Sequence, residues 1–377
     1  MATLLGALVL GCIQSGTDRA GWSWPASWWG TSSARAAAIN AAAQGYGRTA
    51  IRSAEIGLLH APVDRLSASI LAEALLLNGE SERSAHAYSL GVATGWRDRE
   101  AQRWAAETAA SNGNWDQAAV HLDALLRTSP QGQMPTRWFI GIERHARGRS
   151  ALASRLSESP HWSEEWIRGS GDLPADAIPN RIRSLTLARS LGLQVSKYAA
   201  AGATWKMLKK HPEQSFPLWV ALVGPGESTK LGIWDANFRR SDLSRSSSPF
   251  EWRRTDATGA QIEIDAREQV PRLTFSRIGV ATGKLIETYL PISPGHYTLT
   301  WRQSGLMAPM NFQLSCGGSS GIVTSEGAFV KEDLYGFRFA VRPGCILPKL
   351  SLTADSHVPE QANHLVWALR IERDASI

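Results

Sequence analysis

The sequence predicts two domains of different class, an N-terminal α-helical repeat domain followed by a C-terminal antiparallel β-sandwich. The helical prediction depends on Gly45, Gly79 and Gly113, which are spaced by 34 residues. The sandwich prediction depends on short runs in the second half that alternate between apolar and polar residues and are separated by turn residues. At roughly 100 to 200 residues per domain, a chain of 377 residues has room for both.

The composition narrows the class of protein. Hydrophobic residues make up 43% of the chain and charged residues 20%, which is typical of folded domains and excludes a disordered or polytopic membrane protein. The formal net charge is +6, from 40 basic and 34 acidic residues, without a long run of Lys or Arg. We therefore expect no nucleic-acid partner. The 16 tryptophans outnumber the 9 phenylalanines and 6 tyrosines, so we expect core residues or platforms for sugar rings among them.

The helical repeat is predicted over residues 31–210. Alanine stands seven positions before each turn glycine, and the positions that define the period are Ala38, Gly45, Ala72, Gly79, Ala106, Gly113, Ala118 and Pro130. This register resembles the tetratricopeptide repeat, in which 34 residues form two antiparallel helices. The resemblance implies a groove lined mainly by the first helices, where we expect a protein partner to bind. After Pro130 the period is lost, and we interpret the remaining helical segments as degenerate repeats.

The second half changes its periodicity. Residues 211–249 are rich in Pro, Gly and Ser and are predicted to be a linker. From residue 250 to 377 we count nine strand-like runs at roughly ten-residue spacing, which indicates an antiparallel sandwich. In the last strand, alternation places Arg370 and Glu372 on one face and four apolar residues on the other, which we expect to face the core. These four are Leu365, Trp367, Leu369 and Ile371.

A second resemblance concerns the start of this half. The segment Trp234-Asp235-Ala236-Asn237-Phe238 and the later Phe250-Glu251-Trp252-Arg253 resemble the opening of jelly-roll carbohydrate-binding modules, and the run from Pro291 to Ser304 resembles one of their strands. The resemblance implies a jelly roll. Ala236 and Arg239 depart from the pattern, so no ligand role is carried over to them. Together the two halves resemble bacterial envelope proteins that join tetratricopeptide repeats to a jelly roll and are associated with exopolysaccharide production.

The amino terminus suggests export. Residues 2–13 form an apolar run that is too short for a bilayer span of roughly 20 residues but suits a secretory signal. The tetrapeptide Val9-Leu10-Gly11-Cys12 resembles a bacterial lipobox, which implies that Cys12 is a lipid anchor. An uncleaved signal anchor, or a cytoplasmic chain with a buried first helix, remains open. We expect residues 1–30 to be a signal or anchor segment, and the body to lie membrane-anchored on the periplasmic face of the envelope.

Cys316 and Cys345 are the remaining cysteines, and both stand at the edges of strand-like segments. In an oxidising compartment such a pair forms a disulfide, although two unrelated buried thiols are the alternative. The sequence contains no CxxC, HxxxH or HExxH pattern, so we predict no metal site, no cofactor and no catalytic residue.

Binding is therefore the predicted activity. Trp252, Trp301 and Trp367 have apolar neighbours at alternate positions and are expected in the core. The glycan-binding candidates are the polar strand residues Arg253, Arg302 and Gln303. We expect a non-catalytic exported scaffold that docks a partner protein and holds polysaccharide. The alternatives are a pure protein-assembly scaffold and a cryptic carbohydrate-active enzyme that uses carboxylates such as Glu332 and Asp333.

Overall fold

The structure is a computed structural model, and it describes residues 30–64, 66–129, 135–225, 232–243, 247–255, 260–267, 270–278, 283–304, 310–316, 324–354 and 364–374. Within these residues twelve α-helices are followed by ten β-strands in two antiparallel sheets that pack as a sandwich. The predicted fold class, helical domain before β-sandwich, is confirmed. Cys12 and Pro130 lie outside the described residues.

The helices are α1 (Gly30–Ala43), α2 (Gly47–His60), α3 (Ser67–Leu77), α4 (Ser81–Ala93), α5 (Arg99–Ser111), α6 (Trp115–Thr128), α7 (Thr136–Glu143), α8 (Ala146–Ser157), α9 (Ser163–Arg168), α10 (Ile178–Ser190), α11 (Lys197–Lys210) and α12 (Pro212–Val223). The chain divides into two compact units. The first contains α1 to α7 and most of α8, and the second contains α9 to α12 together with the sandwich. Helix α12 lies in the segment 211–249 that we predict as a linker.

The turn glycines explain why successive helices pair. Gly45, Gly79 and Gly113 have φ angles of +79°, +82° and +71°, which L side chains adopt only with strain. In each turn the glycine N–H donates to the carbonyl three residues earlier, and the next N–H donates to the carbonyl five residues earlier. This is the Schellman motif, which ends one helix and directs the chain into the next. The 34-residue spacing therefore places one geometry at three successive helix pairs.

Small residues lie where these helices cross. Ala38, Ala72 and Ala106, seven positions before the turn glycines, are all buried, and so is Ala118. Larger side chains at these crossings would force neighbouring helices apart, because interiors are close-packed. The period also extends to Gly57 and Gly91, where an added Cβ would lie 3.5 Å and 3.1 Å from the nearest alanine Cβ atoms. The helical region is thus repeat-like in its packing as well as in its turns.

The strands of the sandwich are β1 (Arg253–Arg254), β2 (Ala260–Asp265), β3 (Arg272–Ile278), β4 (Gly283–Tyr289), β5 (Gly295–Ser304), β6 (Met310–Cys316), β7 (Thr324–Lys331), β8 (Leu334–Val341), β9 (Pro348–Ala354) and β10 (His364–Arg373). Sheet A has the order β1-β4-β9-β6, and sheet B has the order β2-β3-β10-β5-β8-β7. From β4 to β7 each strand lies in the sheet opposite to its predecessor, so the chain crosses repeatedly between the two sheets.

One apolar core fills the space between the sheets. It includes Trp252 and Trp301, whose predicted core positions are confirmed, together with aromatic and aliphatic residues of both sheets. Cys316, at the end of β6, forms the predicted disulfide with Cys345, in the turn between β8 and β9, with Cα atoms 5.6 Å apart. The nine predicted runs all form strands, and β7 is an additional strand that the sequence pattern does not indicate.

Candidate functional site

The structure does not bring the three predicted glycan-binding residues together. Arg253 lies on β1 in sheet A, whereas Arg302 and Gln303 are neighbours on β5 in sheet B. Because adjacent residues of a strand point to opposite faces, only one of that pair can face solvent. Gln303 is the inward one: it is 8% exposed, and its Oε1 accepts a hydrogen bond of 3.4 Å from Trp301 Nε1. Of the two, Arg302 alone remains a candidate for binding a ligand.

Arg253 is engaged in joining a helix to sheet A. Its guanidinium pairs with Glu287 and lies 4.6 Å from the centroid of the Trp205 ring on α11. Lys349 bonds the same Glu287 carboxylate at 3.3 Å, and the ring of Tyr289 meets Trp205 edge to face. The helix covers this part of the sheet, so these side chains hold the second unit together and are not displayed to a ligand.

A β-bulge in β10 creates a different surface on sheet B. Trp367 pairs with Arg302 and Arg370 pairs with Thr300, so Ala368 and Leu369 together oppose a single residue of β5. Ala368 has a φ of +54°, the left-handed conformation that admits the extra residue. The bulge resets the alternation of the strand. Leu369 points into the core, whereas Trp367 lies on the outer face and is only partly buried.

The predicted core position of Trp367 is therefore wrong, and Leu365 shares the outer face with it. The inward residues of β10 are instead Val366, Leu369 and Ile371, all buried. Alternation with a period of two assumes an uninterrupted strand, and one inserted residue moves everything before it to the other face.

Trp367 has an arginine at the adjacent position on each of its two neighbouring strands. Arg272, on the neighbouring strand β3, places its guanidinium carbon 4.9 Å from the centroid of the indole ring. Arg302 is the cross-strand partner of Trp367 on β5, the neighbour on the other side. A guanidinium stacked on an aromatic ring is attracted by the ring quadrupole and loses rotamer freedom. The ring and Arg272 are thus held together on the outer face of sheet B, and Arg302 occupies the position paired with the ring on β5.

Arg302 is oriented by a carboxylate from the turn between β7 and β8. Its Nη1 donates to both oxygens of Asp333, at 2.8 Å and 3.0 Å. The backbone N–H of Gln303 donates to the Asp333 carbonyl at 3.0 Å, which holds this turn against the end of β5. Glu332, the residue before, has a φ of +57°. Among the described residues of sheet B and its turns, Glu332 and Ala368 are the two non-glycine residues in the left-handed region.

Hydroxyl groups complete this surface. Thr300 and Ser304 flank Arg302 at the alternate, outward positions of β5, and Thr274 lies across from Leu365 on β3. We name the surface formed by Trp367, Arg272, Arg302, Asp333 and these hydroxyls the Trp367 face. It combines a partly exposed aromatic ring with fixed hydrogen-bond donors and acceptors.

The predicted repeat residues position a second set of polar side chains in the first unit. Asp64 and Asp98, also 34 residues apart, each accept hydrogen bonds from the backbone N–H groups two and three positions ahead, at the starts of α3 and α5. Each also binds the preceding first helix: Asp64 through Arg35 at 3.3 Å, and Asp98 through the Ser69 hydroxyl at 2.6 Å. We call these two contacts the aspartate staples.

The two staples differ in their electrostatics. Burial alone would raise the pKa of Asp64, but the Ser67 hydroxyl and Arg35 outweigh it and hold that pKa below its usual value. The more deeply buried Asp98 has no arginine partner at this contact, and burial raises its pKa in spite of the hydrogen bonds it accepts. The repeated geometry therefore holds an ion pair in one copy and a neutral hydroxyl in the next.

First helices are also joined by a polar network. Arg103 on α5 bonds Glu73 on α3 at 3.2 Å and Glu100 at 2.6 Å, and the Tyr88 hydroxyl on α4 donates to Glu73. Burial raises the pKa of both Tyr88 and Glu100, and the neighbouring Glu73 carboxylate raises both further. These contacts make the first helices α3 and α5 one polar surface.

The described parts of the chain contain neither a metal-binding cluster nor a helix that could span a membrane. No group of three or more His, Cys, Asp or Glu side chains stands close enough there to hold a metal ion. No described helix combines the length and the apolar character needed to cross a bilayer. The carboxylates Glu332 and Asp333 share one turn, and Asp333 is bound to Arg302.

Comparison with known proteins finds no protein-family model that matches this chain, and no curated protein matches it significantly. The chemistry of the Trp367 face and of the helical unit is accordingly the basis for assigning a function.

Proposed function

We propose that this chain is a non-catalytic binding protein whose sandwich holds a polysaccharide on the Trp367 face. The observation that carries the proposal is the position of Trp367, which is turned outward by a bulge, lies against the guanidinium of Arg272 and is the cross-strand partner of Arg302. Sugar rings stack their C–H faces on indoles, while guanidinium and hydroxyl groups bond the sugar hydroxyls. The resemblance of the sandwich to jelly-roll carbohydrate-binding modules supports the same ligand class.

Backbone strain at this face supports a binding role. A non-glycine residue in the left-handed region costs about 1 to 2 kcal/mol, and both Ala368 and Glu332 adopt it. Ala368 directs Trp367 outward, and Glu332 precedes the carboxylate that orients Arg302. Strained residues concentrate at ligand sites, because there the strain maintains a geometry that relaxed backbone would lose.

A glycan array with the purified full chain tests the proposal, followed by affinity electrophoresis of Trp367→Ala. We expect the substitution to weaken binding by about tenfold or more, since it removes the stacking surface. Trp96→Ala is the matched control, because Trp96 is 56% exposed in the helical unit. Equal binding by wild type and Trp367→Ala would refute the site. Release of reducing ends from a bound glycan would instead favour the carbohydrate-active enzyme.

We further propose that the first helices of the repeat unit dock a protein partner. The aspartate staples and the Arg103 network support this, because they hold successive first helices as one rigid surface. Leu76 on α3 is 46% exposed on such a helix, whereas Leu59 is exposed on the second helix α2. A photo-crosslinker in place of Leu76 should give a discrete adduct in cells, and one in place of Leu59 should not. Identical adducts from both positions would contradict groove docking.

The location that we propose is the periplasmic face of the envelope, with a membrane anchor at the N-terminus. The Cys316–Cys345 disulfide supports an oxidising compartment. Intact mass and membrane fractionation of the protein from its native host test this: a lipidated chain that begins at Cys12 is expected. A full-length chain in the cytosolic fraction with three free thiols would refute it.

A further inference from the structure

We infer that the polysaccharide held by the Trp367 face is acidic, with uronic acid residues whose carboxylate takes the place of Asp333 on Arg302. This inference rests on the proposed function and adds the chemical class of the ligand. Three features of the face support it: the three arginines near the ring, the contacts of the Arg302 ion pair, and the spacing between the ring and that pair.

The cations are concentrated around the ring. Arg272 and Arg302 stand on the two strands that neighbour Trp367, and Arg370 is the next outward residue of β10 itself. Each arginine also has a carboxylate near it, but farther from the ring: Asp333 comes from a turn, Glu372 follows Arg370 on β10, and Asp265 is the register partner of Arg272 on β2, the edge strand beyond β3. A sugar stacked on Trp367 would thus meet guanidinium groups first. A neutral sugar does not require three arginines, whereas a carboxylated one is attracted by them.

The Arg302–Asp333 pair already has the geometry of a bound carboxylate. A guanidinium forms strong, charge-assisted hydrogen bonds with a carboxylate, and here a single nitrogen of Arg302, Nη1, donates to both oxygens of Asp333 at 2.8 Å and 3.0 Å. The two side chains are 50% and 38% exposed, so water screens the pair and it contributes little to stability. An incoming carboxylate can therefore exchange with Asp333 at small cost, because the guanidinium keeps an equivalent partner.

The spacing fits a single sugar residue. Arg302 and Trp367 are directly paired on adjacent strands, whose separation is about 4.8 Å. The carboxylate of a uronic acid is attached to its pyranose ring, so a ring stacked on the indole places its carboxylate over the next strand. Thr300 and Ser304, on either side of Arg302, are positioned for the remaining hydroxyls.

The test compares an acidic polymer with its neutral form. Methyl esterification of polygalacturonate replaces each charged carboxylate with a neutral methyl ester on an unchanged sugar chain, and alginate and hyaluronate extend the acidic set. We expect the full chain to bind at least one acidic polymer about tenfold more tightly than esterified polygalacturonate, with an affinity that falls as NaCl is raised. Arg302→Gln should remove this preference. Arg168→Gln is the control, because Arg168 forms a similarly exposed ion pair with Glu164.

Asp333→Asn tests the exchange from the side of the protein's own carboxylate. The variant removes the competing carboxylate, so affinity for the acidic polymer should rise about two- to fivefold while binding of neutral glycans stays unchanged. A fall in acidic affinity would overturn the exchange. If no acidic polymer binds, or acidic and esterified forms bind equally, the inference is wrong. In that case a neutral glycan that binds wild type but not Trp367→Ala would leave the proposed function intact. If no glycan of either kind binds, both the proposed function and the acidic ligand are refuted.

Discussion

Replacing Asp98 with alanine tests whether the aspartate staples stabilise the helical unit. Asp98 accepts two backbone hydrogen bonds at the start of α5 and a third from the buried Ser69 hydroxyl on α3. The substitution removes the helix cap and leaves the hydroxyl without its acceptor. Both losses act on the folded state, so they lower the free energy of unfolding.

The magnitude follows from these contacts. Loss of an N-cap costs about 0.5 to 2 kcal/mol, and an unsatisfied buried hydroxyl adds about 1 to 3 kcal/mol. We expect Asp98→Ala to lower the free energy of unfolding by about 2 to 4 kcal/mol. Asp98→Asn keeps an acceptor oxygen, and because burial raises the pKa of Asp98 it also removes an unfavourable buried charge. Its cost should be below about 1 kcal/mol.

Urea denaturation followed by far-UV circular dichroism measures these values, and hydrogen exchange of the α5 amides localises them. Asn114→Ala is the matched control, because Asn114 caps α6 through one exposed hydrogen bond of 3.3 Å to the Gln117 N–H. It should cost about 0.5 to 1 kcal/mol. If Asp98→Ala costs no more than Asn114→Ala, the contact with Ser69 contributes nothing and the reasoning fails.

Three further predictions concern other parts of the fold. Burial lowers the pKa of His121 below 6.5, so the folded state binds its proton less readily than the unfolded state does. The free energy of unfolding therefore decreases as the pH falls below 6.5, because the unfolded state takes up a proton that the folded state does not bind. His121→Asn should flatten the pH dependence of the thermal midpoint, and an unchanged slope would contradict this prediction. Gly79→Ala places a Cβ at a φ of +82° and should cost about 1 to 2 kcal/mol in urea denaturation, whereas an unchanged midpoint would exclude strain. Replacing Cys316 and Cys345 together with serine opens a loop of 29 residues and should cost about 3 to 4 kcal/mol, checked by calorimetry with and without reductant; reductant should affect wild type alone.

The helical half was predictable because its requirements are local. A left-handed turn favours glycine and a close helix crossing favours alanine. The residue types at Gly45 and Ala38 therefore indicate the local geometry directly. The aspartate staples have the same 34-residue period, but the sequence does not indicate their role. Aspartate occurs in many settings, and the partner of Asp64 is an arginine whereas that of Asp98 is a serine. Only the folded contacts show that the two positions are equivalent.

The candidate site was less predictable, because it depends on contacts between distant segments. Nothing in the residue types around Ala368 indicates a bulge, since neither glycine nor proline stands there, and the register is set by pairing with β5. Arg253 has the residue type of a ligand-binding side chain, but α11 covers it. Strand β7 lacks clear alternation and is identified through its pairing with β8.

The position of β10 has a consequence for how the protein is made. This strand lies between β3 and β5 in the interior of sheet B, yet it follows every other described strand in the chain. A ribosome adds about 5 to 20 residues per second, so β3 and β5 are synthesised well before the strand that joins them. The helical unit depends on local contacts and can fold meanwhile. Until β10 is released, β3 and β5 each expose an unpaired edge, and such edges pair with other chains. A nascent chain stopped before residue 364 should therefore associate with its copies through these edges.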